Sequence, residues 1–201
     1  MLQCFGEQEL VRTPFYPVSL NLVGRKCVVI GASSDREAID KAAALEESGA
    51  DLHWVTDVGG FADSDIVDAF FVISTPQDAS LSARLRKLAD EHGFLLCCID
   101  QPDYGFVAMA AIAKAGPVRV AISTTGLAPR VGKILKESLQ RAMDSRFARF
   151  VDVLARKRED VKALHPSPEE SSIRRQAMIE AAEGFAADVR FSYPQWFDKD
   201  A

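Results

Sequence analysis

No apolar run in this 201-residue chain approaches the roughly 20 residues that a membrane-spanning helix needs. The first ten residues, MLQCFGEQEL, also lack the charged and apolar blocks of a secretory signal. The two absences predict a cytoplasmic protein that does not enter a membrane. Positive charge is in short supply: 24 Lys and Arg face 29 Asp and Glu, a formal net charge of -5. Such a balance offers no general attraction to nucleic acid, so an acidic ligand must be held by a local basic cluster. The four cysteines, Cys4, Cys27, Cys97 and Cys98, show no CxxC spacing, and three fall in or beside apolar runs. That is the pattern of small buried thiols, not of a disulfide or zinc site. The three histidines, His53, His92 and His165, lie far apart with no HExxH, and no GxSxG occurs. Zinc hydrolysis and serine-hydrolase chemistry have no support, and no metal ligands are expected.

What the chain does contain is centred on Lys26 to Val55, KCVVIGASSDREAIDKAAALEESGADLHWV. Cys27 to Ile30 is a continuous apolar run, as in a strand buried on both faces of a parallel sheet, and Gly31 ends it. Ala38, Ile39, Ala42, Ala43 and Leu45 recur at helical spacing, Gly49 suits a helix C-terminus, and Leu52 to Val55 resumes strand character. This is a βαβ unit, whose first turn commonly aims backbone N–H groups at a phosphate. The turn reads Gly31, Ala32, Ser33, Ser34, Asp35, Arg36, so only the first glycine of the dinucleotide fingerprint is present. Asp35 is placed to cap the helix, and its carboxylate also repels a pyrophosphate there. Taken alone, the stretch leaves open a nucleotide site and a plain βαβ unit.

Around it, residues 1–14 read as a tail or covering segment, and Phe15, Pro17, Val18, Leu20 and Leu22 as an extended lead-in. Thr56 to Ala69 has room for a helical turn but not for a further helix and strand; Phe70 to Ser74 is the next apolar run. Ser80 is a candidate cap for a helix with Leu81, Leu85, Leu88 and Ala89 on one face and Gly93 after its last turn. Phe94 to Ile99 then reads as a buried strand with Asp100 at its carboxyl end. In an open parallel sheet ligands bind there, although aspartate also commonly starts a turn. Phe106 to Ile112 and Val118 to Ser123 flank a hairpin turn or tight connection, and Thr124 to Gly126 forms a polar loop. Pro129 opens a helix with Val131, Ile134, Leu135 and Leu139 on its buried side. From Phe147 the pattern is helical to the end. Phe147, Phe150, Val151 and Leu154 share a face, Ser167, Pro168 and Glu170 form a capping box, and Met178, Ala181, Ala182, Phe185 and Val189 continue the stripe. These stripes read as core or dimer packing.

The order of pieces, FYPVSLNLVGRKCVVIG, the βαβ unit, a strand ending in CCID, then GPVRVAISTTGLAPRV, resembles the siroheme synthase dehydrogenase and chelatase family from about Phe15 to Leu154. The resemblance implies an α/β fold: a shortened Rossmann-like parallel sheet, a small α+β dimerisation segment and a helical C-terminal region. The corresponding domains are 1–102, 103–143 and 144–201. It implies NAD-dependent oxidation of precorrin-2 to sirohydrochlorin by a homodimer, with ferrous iron as a further substrate if siroheme is made. Asp100 matches the family's key aspartate, and one carboxylate base can serve both hydride removal and metalation. NAD falls to Gly31, Ala32, Ser33, Ser34 and Thr75; the tetrapyrrole falls to Thr124, which matches a family serine, and to the flanking cations Lys114, Arg119, Arg130 and Lys133. The departures gather on the NAD side. The family's three-glycine turn is reduced to Gly31, its Ala-Thr-Asp-Asp stretch reads Ser74, Thr75, Pro76, Gln77, and an asparagine three residues before the key aspartate is Cys97. A chelatase-only or tetrapyrrole-binding relative that has lost NAD is therefore the alternative.

Overall fold

The computed structural model describes residues 15–197, so the expectation for residues 1–14 lies outside the described residues. Two compact units form: one comprises residues up to Ala111 with Ile122–Lys133, the other Ile112–Ala121 with residues from Ile134 onward.

The first unit is built on four strands, β1 (Lys26–Ile30), β2 (Asp51–Val55), β3 (Phe71–Ser74) and β4 (Leu95–Cys98), in the order β2-β1-β3-β4 and parallel throughout. Helices α1 (Arg36–Glu47) and α2 (Ala79–His92) connect them. Strand alternation sorts the side chains onto two faces. Val28, Ile30, Val72, Leu96 and Cys98 pack with Leu85, Leu88 and Ala89 of α2. Cys27, Val29, Phe71, Ile73 and Cys97 pack with Ala38, Ala42 and Leu45 of α1. The sheet is thus covered on both sides, which is why its strands read as unbroken apolar runs. Ile30, Ile73, Leu85 and Leu96 are fully buried, each contributing roughly 1.5–3 kcal/mol of burial free energy.

Local chemistry sets the ends. Asp35 caps α1 by accepting from Glu37 N, and Gly49 and Gly93 take left-handed conformations beyond α1 and α2. The cap of α2 is Asp78, which accepts from Ser80 N and Leu81 N, and not Ser80, whose own amide is one of the donors being satisfied. Ile39 lies on the outer side of α1 and is exposed. Between β2 and β3 stand two 3-10 turns, Val58–Gly60 and Asp63–Ile66, with no helix or strand; Phe61 and Ile66 cover the α2 face of the sheet. Cys27, Cys97 and Cys98 are free and buried, and burial pushes the Cys97 thiol up to about 12. Cys4 lies outside the described residues.

The second unit contains the turn of a hairpin, β5 (Ala111–Ala115) and β6 (Val118–Ile122), and most of three helices, α3 (Pro129–Ala142), α4 (Ser145–Leu164) and α5 (Ser171–Ala181). The first hairpin strand begins at Ala111 and not at Phe106, because Phe106 N and Val107 N both donate to Leu96 O at 2.8 and 3.0 Å, at the edge of β4. Gln140 ties α3 to β5 by pairing with both main-chain groups of Lys114. The expected burial of the α3 stripe is only partial: Leu135 and Leu139 are half-buried, while Val131 and Ile134 are 49% and 47% exposed. Nor is the chain helical to its end. Gly184, with φ 80°, follows α5, and Phe185 stacks against Phe150 at 5.1 Å.

The capping box at Ser167 joins a clasp between α4 and α5. Glu170 accepts from Ser167 N, its other oxygen meets His165 Nδ1 at 3.0 Å, and Arg174 donates to His165 O and Ser167 O. The His165 contact, then the Ser167 amide, hold the Glu170 carboxyl below its usual value. A carboxylate depressed on folding stabilises above its unfolded pKa, and that stabilisation is lost as pH falls through the folded value. Glu170→Gln is therefore expected to lower stability at about pH 6 and to flatten the loss between about pH 5 and pH 3, read by urea unfolding across that range. A variant with the wild-type pH profile contradicts this.

Candidate active site

Because all four strands are parallel, Gly31, Thr56, Thr75 and Ile99, which follow β1 to β4, share the carboxyl edge of the sheet, and Asp100 follows immediately. The edge is where an open α/β sheet receives ligands.

At its centre Gly31 and Thr75 touch. A Cβ on Gly31 would lie 2.3 Å from Thr75 Oγ1 and 2.8 Å from Ala38 Cβ, so only glycine fits. Gly31 N donates to Val55 O, and Trp54 Nε1 donates to Gly31 O at 2.9 Å, fixing the turn to β2. Thr75 Oγ1 donates to Asp35 Oδ2 at 2.5 Å. That hydrogen bond, with the helix amides of Glu37 and Ala38, outweighs burial and holds the Asp35 carboxyl below its ordinary value. Asp35 is thus an ionised cap at the N-terminus of α1. Ala32, Ser33 and Ser34 form the exposed part of the turn, and among the described residues their amides have no protein acceptor.

A dinucleotide fits these residues. The missing Cβ at Gly31 lets backbone and Thr75 close up, Ala32, Ser33 and Ser34 are exposed with amides that no protein acceptor takes among the described residues, and Arg36 stands exposed beside them. Asp35 is the group set against a phosphate. Asp57, two residues beyond β2, was not singled out in the sequence; it lies about 25 residues after Gly31, near where Rossmann domains carry the acidic partner of a ribose hydroxyl. The spacing from Gly31 was the available signal.

Asp100 is exposed and holds φ 57°, in the turn closed by Gln101 N donating to Cys98 O. Thr124 is half-buried against Gly132, and Arg130 and Lys133 are exposed on the first turns of α3. Those residues belong to the first unit, whereas Lys114 and Arg119 lie on the hairpin of the second. The Arg119 guanidinium donates to Gly116 O and Val118 O of its own turn. Among the described residues no group of three or more His, Cys, Asp or Glu is arranged to hold a metal, and no helix is long and apolar enough to cross a membrane.

A shortened parallel sheet with a helix on either face and a glycine turn at its carboxyl edge defines a Rossmann-like α/β domain. Residues 18–111 match the family described as "Putative NAD(P)-binding". The siroheme synthase of Nitrosococcus oceani is 26% identical over 166 residues, covering 74% of this chain and 35% of that protein. The siroheme synthase of Hahella chejuensis is 24% identical over 196 residues, covering 88% and 41%. The chain spans little more than a third of the length of these curated relatives. A solved structure named SirC, precorrin-2 dehydrogenase, shares the fold with a TM-score of 0.69 at 20% identity, over 85% of this chain and 90% of that one. The chain is thus similar in sequence to siroheme synthases and in fold to a precorrin-2 dehydrogenase structure, with an NAD(P)-binding family match over residues 18–111.

Proposed function

We propose that this chain oxidises precorrin-2 to sirohydrochlorin with NAD, in the cytoplasm, as a step of siroheme biosynthesis. The observation that carries the reading is the shared edge: the parallel sheet sets the Gly31–Thr75 turn and the Asp100 turn at the same ends of its strands. The relatives' name, siroheme synthase, and the neighbour's, precorrin-2 dehydrogenase, agree with it.

When bound, NAD supplies the acceptor for the hydride that precorrin-2 loses. The amides and hydroxyls of Ala32, Ser33 and Ser34, with Gly31 and Thr75, hold the dinucleotide. The Asp100 carboxylate takes the proton that leaves with the hydride, so two electrons and two hydrogens are removed in all. Arg130 and Lys133 meet the substrate carboxylates, and the Thr124 hydroxyl orients the ring. A homodimer completes the site, its contact including the half-exposed α3 face of Val131 and Ile134. In functional terms the dinucleotide falls to the segment 1–102, dimerisation to 103–143, and 144–201 is the C-terminal region that carries α4 and α5.

The ionised Asp35 at the α1 N-terminus favours one second reading, in which the dinucleotide is not held and Asp100 instead takes pyrrole protons as ferrous iron enters sirohydrochlorin. Purified protein given enzymatically generated precorrin-2 under anaerobic conditions, with and without NAD, separates the two. NAD-dependent formation of sirohydrochlorin and NADH is the expected result; no product above a protein-free control overturns the dehydrogenase and moves the assay to iron insertion.

A further inference from the structure

Asp100 is one of three non-glycine residues with positive φ among the described residues. For an L-residue this left-handed backbone is unfavourable, although Asp and Asn tolerate it better than most, and it persists where neighbouring contacts over-determine it. Those contacts are two glutamines. Gln77 Nε2 donates to Ile99 O at 3.0 Å, and Gln101 Nε2 donates to Pro76 O at 3.1 Å. The bonds run in opposite directions between the same two loops, the one after β3 and the one after β4. The peptides they grip are anchored on the sheet, since Ile99 N donates to Ser74 O at 2.9 Å and Thr75 N to Ile30 O at 3.0 Å. Asp78, next to Gln77, is the cap of α2.

We propose that Gln77 and Gln101 are positioning residues that clamp the Asp100 turn to the loop after β3, a role that rests on the reading of Asp100 as the base. The Cα–Cβ direction of Asp100 depends on its φ. Released from the clamp, the residue relaxes toward negative φ and swings its carboxylate off the edge. A base must sit within hydrogen-bond reach of the proton it removes, so a displacement of about 1 Å is costly to turnover. The clamp also offers a physical role for Gln77, which stands where the resembled family carries Asp.

The test uses Gln77→Glu and Gln101→Glu, which keep the shape but replace an amide donor by a carboxylate that cannot donate to a carbonyl at neutral pH. Hydrogen exchange is followed by mass spectrometry on the peptide spanning Cys98 to Gln101, alongside kcat and KM. The expected result is at least tenfold faster exchange of that peptide with β1 and β3 unchanged, a kcat lowered about tenfold, and an unmoved KM. Unchanged exchange in both variants overturns the clamp, and faster exchange with wild-type kcat overturns its positioning role. Faster exchange in the variants of a wild-type chain without turnover supports the clamp and refutes the reading of Asp100 instead.

Discussion

Asp100→Asn is expected to lower precorrin-2 oxidation by at least about 100-fold, in the range that general base catalysis usually supplies, while leaving the melting temperature nearly unchanged. Asparagine is the informative replacement because it tolerates the φ of 57° almost as well as aspartate, whereas alanine adds backbone strain to the loss of the carboxylate. The amide cannot accept a proton at neutral pH, so the variant separates base chemistry from turn geometry. Asp100 is exposed and on a turn, so little packing is lost. The fall should appear in kcat, with KM for the tetrapyrrole altered little. Turnover at the wild-type rate removes Asp100 from the mechanism.

Gly31→Ala carries the second large effect, on stability and cofactor binding together. The added Cβ meets Thr75 Oγ1 at 2.3 Å and Ala38 Cβ at 2.8 Å, and both neighbours sit on fixed elements. Something must shift, either the Thr75 hydroxyl away from Asp35 or α1 away from the sheet. Overpacking of this kind costs about 1–3 kcal/mol, which in a chain of this size lowers the melting temperature by roughly 2–12 °C. Because the same turn presents the amides of Ala32, Ser33 and Ser34, the rise in melting temperature expected of the wild type with NAD, as of any ligand that binds only the folded state, should be lost. Adding Thr75→Ala removes the nearer clash and should restore part of the stability. A Gly31→Ala protein as stable as the wild type contradicts the close packing, and one that still responds to NAD contradicts the assignment of the turn.

The two residues differ in how far they were visible beforehand. Gly31 announces itself as the end of an apolar run, and its role as a turn follows from neighbours in the chain. That its missing Cβ makes room for Thr75, 44 residues later, is visible only in the fold. Asp35 shows the same division. Its capping of α1 is written in the local sequence, but its bond to Thr75 is not. The cap of α2 shows that even a local rule has competitors, since Asp78 sits two residues before Ser80 and takes the amides of Ser80 and Leu81, which starts the helix earlier than a Ser80 cap allows.

By itself, the sequence determined whatever depends on a few consecutive residues. The apolar runs of β1, β3 and β4, the positive φ of Gly49 and Gly93, the capping box at Ser167 and the shortness of the Thr56–Ala69 connection are of this kind, because burial pattern and backbone chirality act over one or two turns. Tertiary structure alone decided which strand ends share an edge, that Phe106 and Val107 bond to Leu96 instead of extending a hairpin, and that α5 stops at Ala181 while Phe185 stacks on Phe150. It also left Val131 and Ile134 uncovered and crossed the Gln77 and Gln101 bonds over the Asp100 turn. Each of these is a contact between residues distant along the chain, and no local pattern encodes which distant group will arrive.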